Sequence, residues 1–458
     1  MEAKKITRRY FFMSSAALVA AGCATKGQKG ARPRTISANE KINFAAIGSG
    51  GKGSSDIQGA GANNNIVALC DVDDVRAGET FTKFPNAKKF RDFRVMLEKE
   101  FHNIDAVTIS TPDHMHAHAA LLAMKMGKHV YVQKPLTHSI EEARLLTLAA
   151  RENKVASQMG NQGHSGEGVR KLCEMIWSGA IGQVREVHIW TNRPVWPQGY
   201  NRPTIVDPVP DTLSWDLWLG GAPERPYVKT HPDTQKDCYQ PHNWRGWWDF
   251  GCGALGDMAC HIADPANWAM KLSTVSPSAV EVVHQEGETD EQGPSKSHLK
   301  FTFPARGDMI PVEVHWYDGG LKPEAPAGIG ASVMGDKGNN GSLFIGDKGI
   351  ATAGEYGGNP RLLPDERMND YKFPEPTIPR VDGNHYDDWI RAIKGGPAAC
   401  SNFDYAGPFT EWILLGNLAL RTRKSLVWDS ANLNVTNAAE ANQWVKKTYR
   451  KGWDLRNV

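Results

Sequence analysis

Two apolar patterns divide the chain. Between residues 41 and 160, short β-prone runs at Lys41–Ile47, Ile66–Asp71, Ala106–Ser110, His129–Val132 and Val155–Met159 predict strands. Longer stretches around Met115–Met126 and Glu141–Glu152 predict helices between the later ones. Strands alternating with helices make a parallel, doubly wound sheet of the α/β class. Past residue 160 the rhythm changes. Val184–Thr191, Ala279–His284, His298–Phe303 and Pro311–Tyr317 are short alternating runs without long helices between them, which predicts a second sheet.

The first strand ends in Gly48-Ser49-Gly50-Gly51-Lys52-Gly53, a G-x-G-x-x-G turn that leads into a helix. In such a turn the first glycine permits the bend and the second lets a pyrophosphate approach the backbone. The third lets the helix pack closely. Unpaired N–H groups at the helix start then face the phosphates. The second strand ends in Asp71, 21 residues after Gly50. An acid there accepts hydrogen bonds from both ribose hydroxyls and repels a 2′-phosphate, so NAD is expected over NADP. The lesser alternative is that Asp71 only caps a turn.

Composition narrows the partners. Lys plus Arg number 53 and Asp plus Glu 51, and a net charge of +2 gives no electrostatic case for nucleic acid. Many of the 15 tryptophans fall between Trp190 and Trp268. Flat rings suit a carbohydrate, a core or an interface, and composition favours the core. None of the seven cysteines forms a CxxC pair, so zinc-ribbon and thioredoxin-type sites are not expected. Cys252 and Cys260 are free to pair only if the chain is exported.

Export is what the N-terminus predicts. Lys4, Lys5 and Thr7-Arg8-Arg9-Tyr10-Phe11-Phe12 precede a short apolar run, and small residues lead into Gly22-Cys23. This is signal-peptide anatomy over residues 1–23, and the paired arginines resemble a twin-arginine signal, whose route moves folded proteins. Gly22-Cys23 resembles a lipoprotein site, in which Cys23 would carry the lipid anchor. The expected location is the periplasm or cell envelope. Residues 24–40, rich in Gly, Lys, Ser and Pro, read as a flexible tether.

Three further motifs carry a resemblance. They are Thr111-Pro112-Asp113-His114-Met115-His116, Gln133-Lys134-Pro135 and the stretch Gly253–His261 with Asp257 and His261 four apart. Together they resemble the glucose–fructose oxidoreductase, inositol dehydrogenase and rhizopine catabolism family (Gfo/Idh/MocA). Its Glu-Lys-Pro signature stands here as Gln-Lys-Pro. The resemblance implies an NAD-binding Rossmann domain, expected over 41–160. It also implies a C-terminal α/β domain with a large, mostly antiparallel open sheet, expected over 161–458 for substrate binding and oligomerisation. A homo-oligomer, dimer or tetramer, is expected, with Thr111, Pro112, His116, Gln133 and Lys134 beside the cofactor.

Hydride removal from a sugar carbon requires a base at the hydroxyl. Lys134, just past a strand's carboxyl end, is implied to polarise that hydroxyl, and its pKa should fall beside a positively charged nicotinamide. Asp257 and His261 share a helix face. His261 is expected as the base and Asp257 as its orienter. A metal pair at that spacing is the lesser reading, and no metal is expected. Trp244 and Arg245 form either a sugar platform or a packing corner, His164 is expected toward the nicotinamide, and Pro194-Val195-Trp196-Pro197 is a candidate cover.

The function expected is oxidation of a ring hydroxyl of a sugar or glycoside, C3 foremost, by tightly bound NAD. The alternative is an NAD-dependent glycosidase using transient C3 oxidation and elimination, which needs a further base such as His164 or Tyr239. A sugar-binding surface lipoprotein is the third.

Overall fold

The computed structural model describes residues 31–455. The signal expected over 1–23, with Cys23, and the first part of the expected tether lie outside the described residues.

The first sheet holds β1 (Asn43–Ile47), β2 (Asn65–Cys70), β3 (Lys88–Phe90), β4 (Ala106–Ile109), β5 (His129–Val132) and β6 (Ser157–Met159). All pairs are parallel, in the order β3-β2-β1-β4-β5-β6. The order reverses beside β1, so the loops after β1 and β4 turn to opposite faces and leave a crevice at the strand ends. Helix starts follow local chemistry. Asp73 accepts from the N–H groups of Val75 and Arg76, and Ser139 with Glu142 forms a capping box for the helix Ile140–Asn153.

The second sheet has nine strands: β7 (Val184–Trp190), β8 (Ala279–Glu286), β9 (Lys296–Phe303), β10 (Val312–Asp318), β11 (Gly341–Gly346), β12 (Ile350–Ala353), β13 (Arg361–Leu363), β14 (Leu426–Asp429) and β15 (Asn434–Val435). Its order is β13-β12-β11-β7-β10-β9-β8-β14-β15, antiparallel throughout except for β7 with β10. Alternation along β9 buries Leu299, Phe301 and Phe303. The helix Phe403–Thr422 covers that face, with Trp412 edge-on to Phe301 and Phe303. Gly416 lets the helix Gly253–Ile262 close in, since a Cβ there would lie 2.6 Å from Leu255 Cδ2.

Three expectations change. The tether is not free along its whole length. Arg34 donates twice to Asp105 at 2.9 Å and Ile36 is 3% exposed, so residues 31–40 are bound to the first sheet's flank. Cys252 and Cys260 are unpaired and buried, because they bracket one helix at its cap and its last turn. The first sheet is also finished by distant residues, as Trp389 of the helix His385–Ile393 packs on Phe44 with ring centroids 5.4 Å apart. The tryptophan-rich region is largely core: Trp218, Trp244 and Trp247 cluster with Tyr239 and Phe250.

Candidate active site

A cavity of about 700 Å³ opens at the carboxyl ends of β1, β4 and β5. One end is made of backbone. Gly48 has φ 79°, and a Cβ there would lie 2.7 Å from the Ser110 carbonyl carbon. A Cβ on Gly53 would lie 1.7 Å from Gly48 O, so the helix can start there only with glycine. Gly48, Gly50 and Lys52 line the cavity. Ser49, expected as a cofactor contact, is fully buried and donates to Cys70 O at 3.1 Å, so with the buried Gly53 it supports the loop from behind, while Gly51 is exposed outside the lining.

Asp71 does two jobs that the sequence sets as rivals. Its Oδ2 accepts from the N–H groups of Ser49 and Gly50 at 2.8 and 2.9 Å, and Oδ1 accepts from Asp73 N at 3.0 Å. It still lines the cavity, and a carboxylate with about four acceptor positions keeps one for a ribose hydroxyl. Burial pushes its pKa up despite those three bonds. Arg76 lies along the same loop, exposed, where a Cβ on Gly51 would meet its Nη2 at 2.4 Å.

The other end is made of charged side chains. Lys134 donates to Asp257 O at 2.8 Å and to Asp257 Oδ1 at 2.9 Å. Arg245 Nε donates to the same Oδ1 at 2.9 Å, and its guanidinium lies 4.3 Å from the centre of the Trp244 ring. Burial alone would raise the Asp257 pKa, but the two cations overcome it and hold the group well below the usual carboxylate range. The cluster therefore carries one net positive charge. His261 stands beside it, held neutral by burial and then by repulsion from Lys134. Its Nδ1 is buried without a hydrogen-bond partner, and its ring meets the Tyr356 ring edge-on at 5.0 Å.

Several assignments are corrected here. Asp257 does not orient His261, since its bonds go to Lys134 and Arg245. His116 is 1% exposed and spans Pro135 O at 2.8 Å and Thr111 O at 2.9 Å, so it pins the two motif loops together rather than facing a cofactor. Thr111, Pro112 and Gln133 do line the cavity, as do Trp244 and Arg245. His164 lies behind the wall, with Nδ1 on the Asp264 carboxylate and its ring stacked on Trp268 at 4.3 Å. Tyr239 is 1% exposed inside the aromatic core, and Trp196 packs beneath Arg245 outside the cavity lining.

Other side chains come forward. Asp113, inside the Thr111-Pro112-Asp113-His114 run, is 3% exposed and accepts from Cys252 N at 3.0 Å. Burial raises its carboxyl to about 7, against the opposing pull of Arg245. His242 and Tyr356 also line the cavity, and no sequence signal marks them. Gln133 has a partner that explains its departure from Glu-Lys-Pro. Its Nε2 donates at 2.9 Å to the fully buried Asp56, which also accepts from Ser110, Tyr386 and Lys52. A glutamate at 133 would set two carboxylates against each other.

The glycine cradle, the acid at the β2 end and the charged pocket beyond β5 fit a dinucleotide laid along the strand ends, with room past it for a small substrate. Among the described residues no three metal-ligating side chains gather.

Comparison with known proteins agrees. Residues 42–161 match the family model described as the oxidoreductase family, NAD-binding Rossmann fold, and 167–310 match its C-terminal alpha/beta domain. Levoglucosan dehydrogenase of Pseudarthrobacter phenanthrenivorans is 26% identical over 192 residues, 42% of this chain and 39% of that protein. Inositol 2-dehydrogenase of Salmonella typhimurium is 29% identical over 125 residues, 27% of this chain and 37% of that protein. The chain thus matches under half the length of these curated relatives. The WlbA dehydrogenase of Bordetella pertussis, solved with NADH and UDP-GlcNAcA, superposes with a TM-score of 0.58 at 17% identity, over 85% of this chain and 99% of that one. With both of its domains matched in order, the chain belongs to the Gfo/Idh/MocA family of oxidoreductases and carries that family's NAD-binding Rossmann domain.

Proposed function

We propose that the protein oxidises a ring hydroxyl of a sugar or glycoside, C3 foremost, to a ketone. The observation that carries this is the Lys134–Asp257–Arg245 cluster beside a neutral His261 at the end of the cavity remote from Asp71. NAD, when bound, accepts the hydride from the substrate carbon. Lys134, anchored through two of its three N–H bonds, keeps one for the substrate oxygen and stabilises the charge that grows there. His261 takes the hydroxyl proton. An imidazole with a depressed pKa is a weak base on its own, so the step depends on the neighbouring cation lowering the hydroxyl's pKa in turn. Asp257 keeps the two cations in register. Trp244, a largely buried cavity-lining ring, supports the Arg245 guanidinium from below.

The competing glycosidase reading needs a second base against the carbon next to the oxidised one. His164 and Tyr239 do not line the cavity, so that reading would have to draw on Tyr356 or His242, which do. Product analysis on a glycoside tests the choice. A keto-glycoside supports the proposal, and a released sugar without net oxidation supports elimination. An unchanged substrate leaves only binding.

The expected leader extends this reading. If the chain is exported folded to the periplasm or cell envelope, NAD travels with it as a bound group and is reoxidised in place. Nicotinamide should then survive extensive dialysis of the purified protein. A protein that comes through empty and binds NAD weakly would refute tight retention while leaving the oxidation untouched.

A further inference from the structure

Behind the loop that leads into the helix Gly253–Ile262 lies a second cavity of about 260 Å³. Its lining includes His138, Trp248, Asn417, Arg421, Trp444 and Lys447, none of them part of the active-site cluster. Burial lowers the Arg421 pKa, and among the described residues its guanidinium makes no hydrogen bond or ion pair. It rests instead over Trp444, 4.8 Å from the ring centre, and 5.8 Å from that of Trp248. Lys447 stands 3.4 Å from Glu142, a carboxylate already accepting from Tyr449 OH at 2.8 Å. The acid on this rim, Asp249, is held by Arg225. The lining thus holds two cations, Arg421 and Lys447, against one acid, while Glu142 pairs with Lys447 and Glu291 and Asp290 act on Arg421 from outside the lining.

Its remaining polar atoms are unmatched in a particular way. Trp248 is 6% exposed and its Nε1 donor has no partner, while Asn417 is 8% exposed and its Oδ1 acceptor has none. The Asn417 amide nitrogen is committed to Cys252 O at 2.9 Å. His138 bonds Gly251 O through Nε2 at 3.2 Å and leaves Nδ1 without a partner. Buried polar atoms are rarely left unmatched, and a cluster of them in a cavity marks missing partners. Here the missing partners are an anion, for Arg421 and the indole N–H, with Lys447 close by but already paired to Glu142, and hydroxyl donors, for Asn417 and His138. Two indole rings supply flat walls between them.

We infer that this cavity binds a hydroxylated anion, a sugar acid or a sugar phosphate, with its charged group on Arg421 and Lys447 and its hydroxyls on Asn417 and His138. The site does not rest on the redox reading, because none of these side chains lines the larger cavity.

Calorimetric titration of the full chain with glucuronate and with glucose 6-phosphate tests it. Glucose and inorganic phosphate are the half-ligand controls. At least one sugar anion should bind more tightly than either control, and which one binds tells carboxylate from phosphate. Arg421→Gln should weaken that binding by about 10-fold or more, the usual worth of a hydrogen bond to a charge. Lys447→Gln is the second variant should the first not fold. Lys134→Met should leave the binding intact, since the active-site cations are the rival anion site. The inference is overturned if neither sugar anion binds, if phosphate alone binds as tightly, if Arg421→Gln binds like the parent, or if Lys134→Met abolishes the signal.

Discussion

At the Asp71 end of the large cavity the glycine turn brings main chain to the wall, and at those positions even a Cβ is excluded by contact. The would-be Cβ of Gly53 sits 1.7 Å from Gly48 O, and that of Gly50 sits 2.5 Å from Arg76 O. At the Lys134 end the walls are side chains from widely separated parts of the chain, held by opposite charges. Lys134 and Asp257 are 123 residues apart and meet at 2.9 Å. The first construction fixes a shape and tolerates no added atom. The second fixes a charge pattern made by side chains, with one bond, from Lys134 to Asp257 O, reaching the backbone. Binding and chemistry in this cavity are therefore separable by mutation.

The largest expected effect is at the charged end. His261→Ala should lower kcat by ~10²–10⁴-fold, the usual worth of a general base, with nicotinamide content unchanged. Lys134→Met should act alike, and the double variant should lose far less than the product of the single losses. Single-turnover reduction of bound NAD, followed by absorbance, measures both. Full-speed reduction in His261→Ala would remove that residue from the mechanism and dissolve the division of labour.

The backbone end should answer in the opposite currency of measurement. Gly53→Ala should strip the protein of cofactor and cost about 1–3 kcal/mol of stability, the range for overpacking a filled site. Nicotinamide assay and denaturant titration check it. A variant that kept its cofactor but lost turnover would break the comparison.

How much of this was legible follows from the same contrast. A glycine that a turn requires is visible in one stretch of sequence, so the cradle and the β1–β2 spacing can be read directly. The Asp257–His261 spacing correctly puts both on one helix face, but it could not reveal that Arg245 and Lys134 would claim the carboxylate. His116 and His164 look like site residues because they follow strand ends. Their partners, the Pro135 carbonyl and the Asp264 carboxylate, are fixed only by tertiary packing. Tyr356 reaches His261 from a glycine-rich loop after β12 that has no apolar pattern of its own. β12 to β15 have only two to four residues, too few to show a period, and the packing of residues 31–40 depends on Asp105 far along the chain.

Cofactor choice sharpens the comparison further. Arg76 already lies on the loop beside Asp71, so Asp71→Ser alone should admit a 2′-phosphate. Affinity for NADP relative to NAD should rise by ~10–100-fold, the value of a new hydrogen bond to a charge. Fluorescence titration with both cofactors reads it. A parent chain that already prefers NADP would overturn the role given to Asp71.

The smallest effect concerns pH. Burial raises Asp113 to about 7, above its unfolded value, so its contribution to stability is full in acid and is lost as pH rises toward about 7. Asp113→Asn mimics the protonated form and should flatten that part of the melting-temperature profile by a few degrees, about the shift per kcal/mol for a domain of this kind. An unchanged slope would place the Asp113 titration elsewhere.

Trp218, Trp244 and Trp453 all contribute to the wall of the large cavity. Indole emission overlaps the absorption band of reduced nicotinamide and misses that of the oxidised form. Energy transfer falls steeply with distance, and these three rings border the cavity itself. The molecule is thus its own optical gauge: its ultraviolet glow should dim when the bound group holds electrons and brighten when they are handed on.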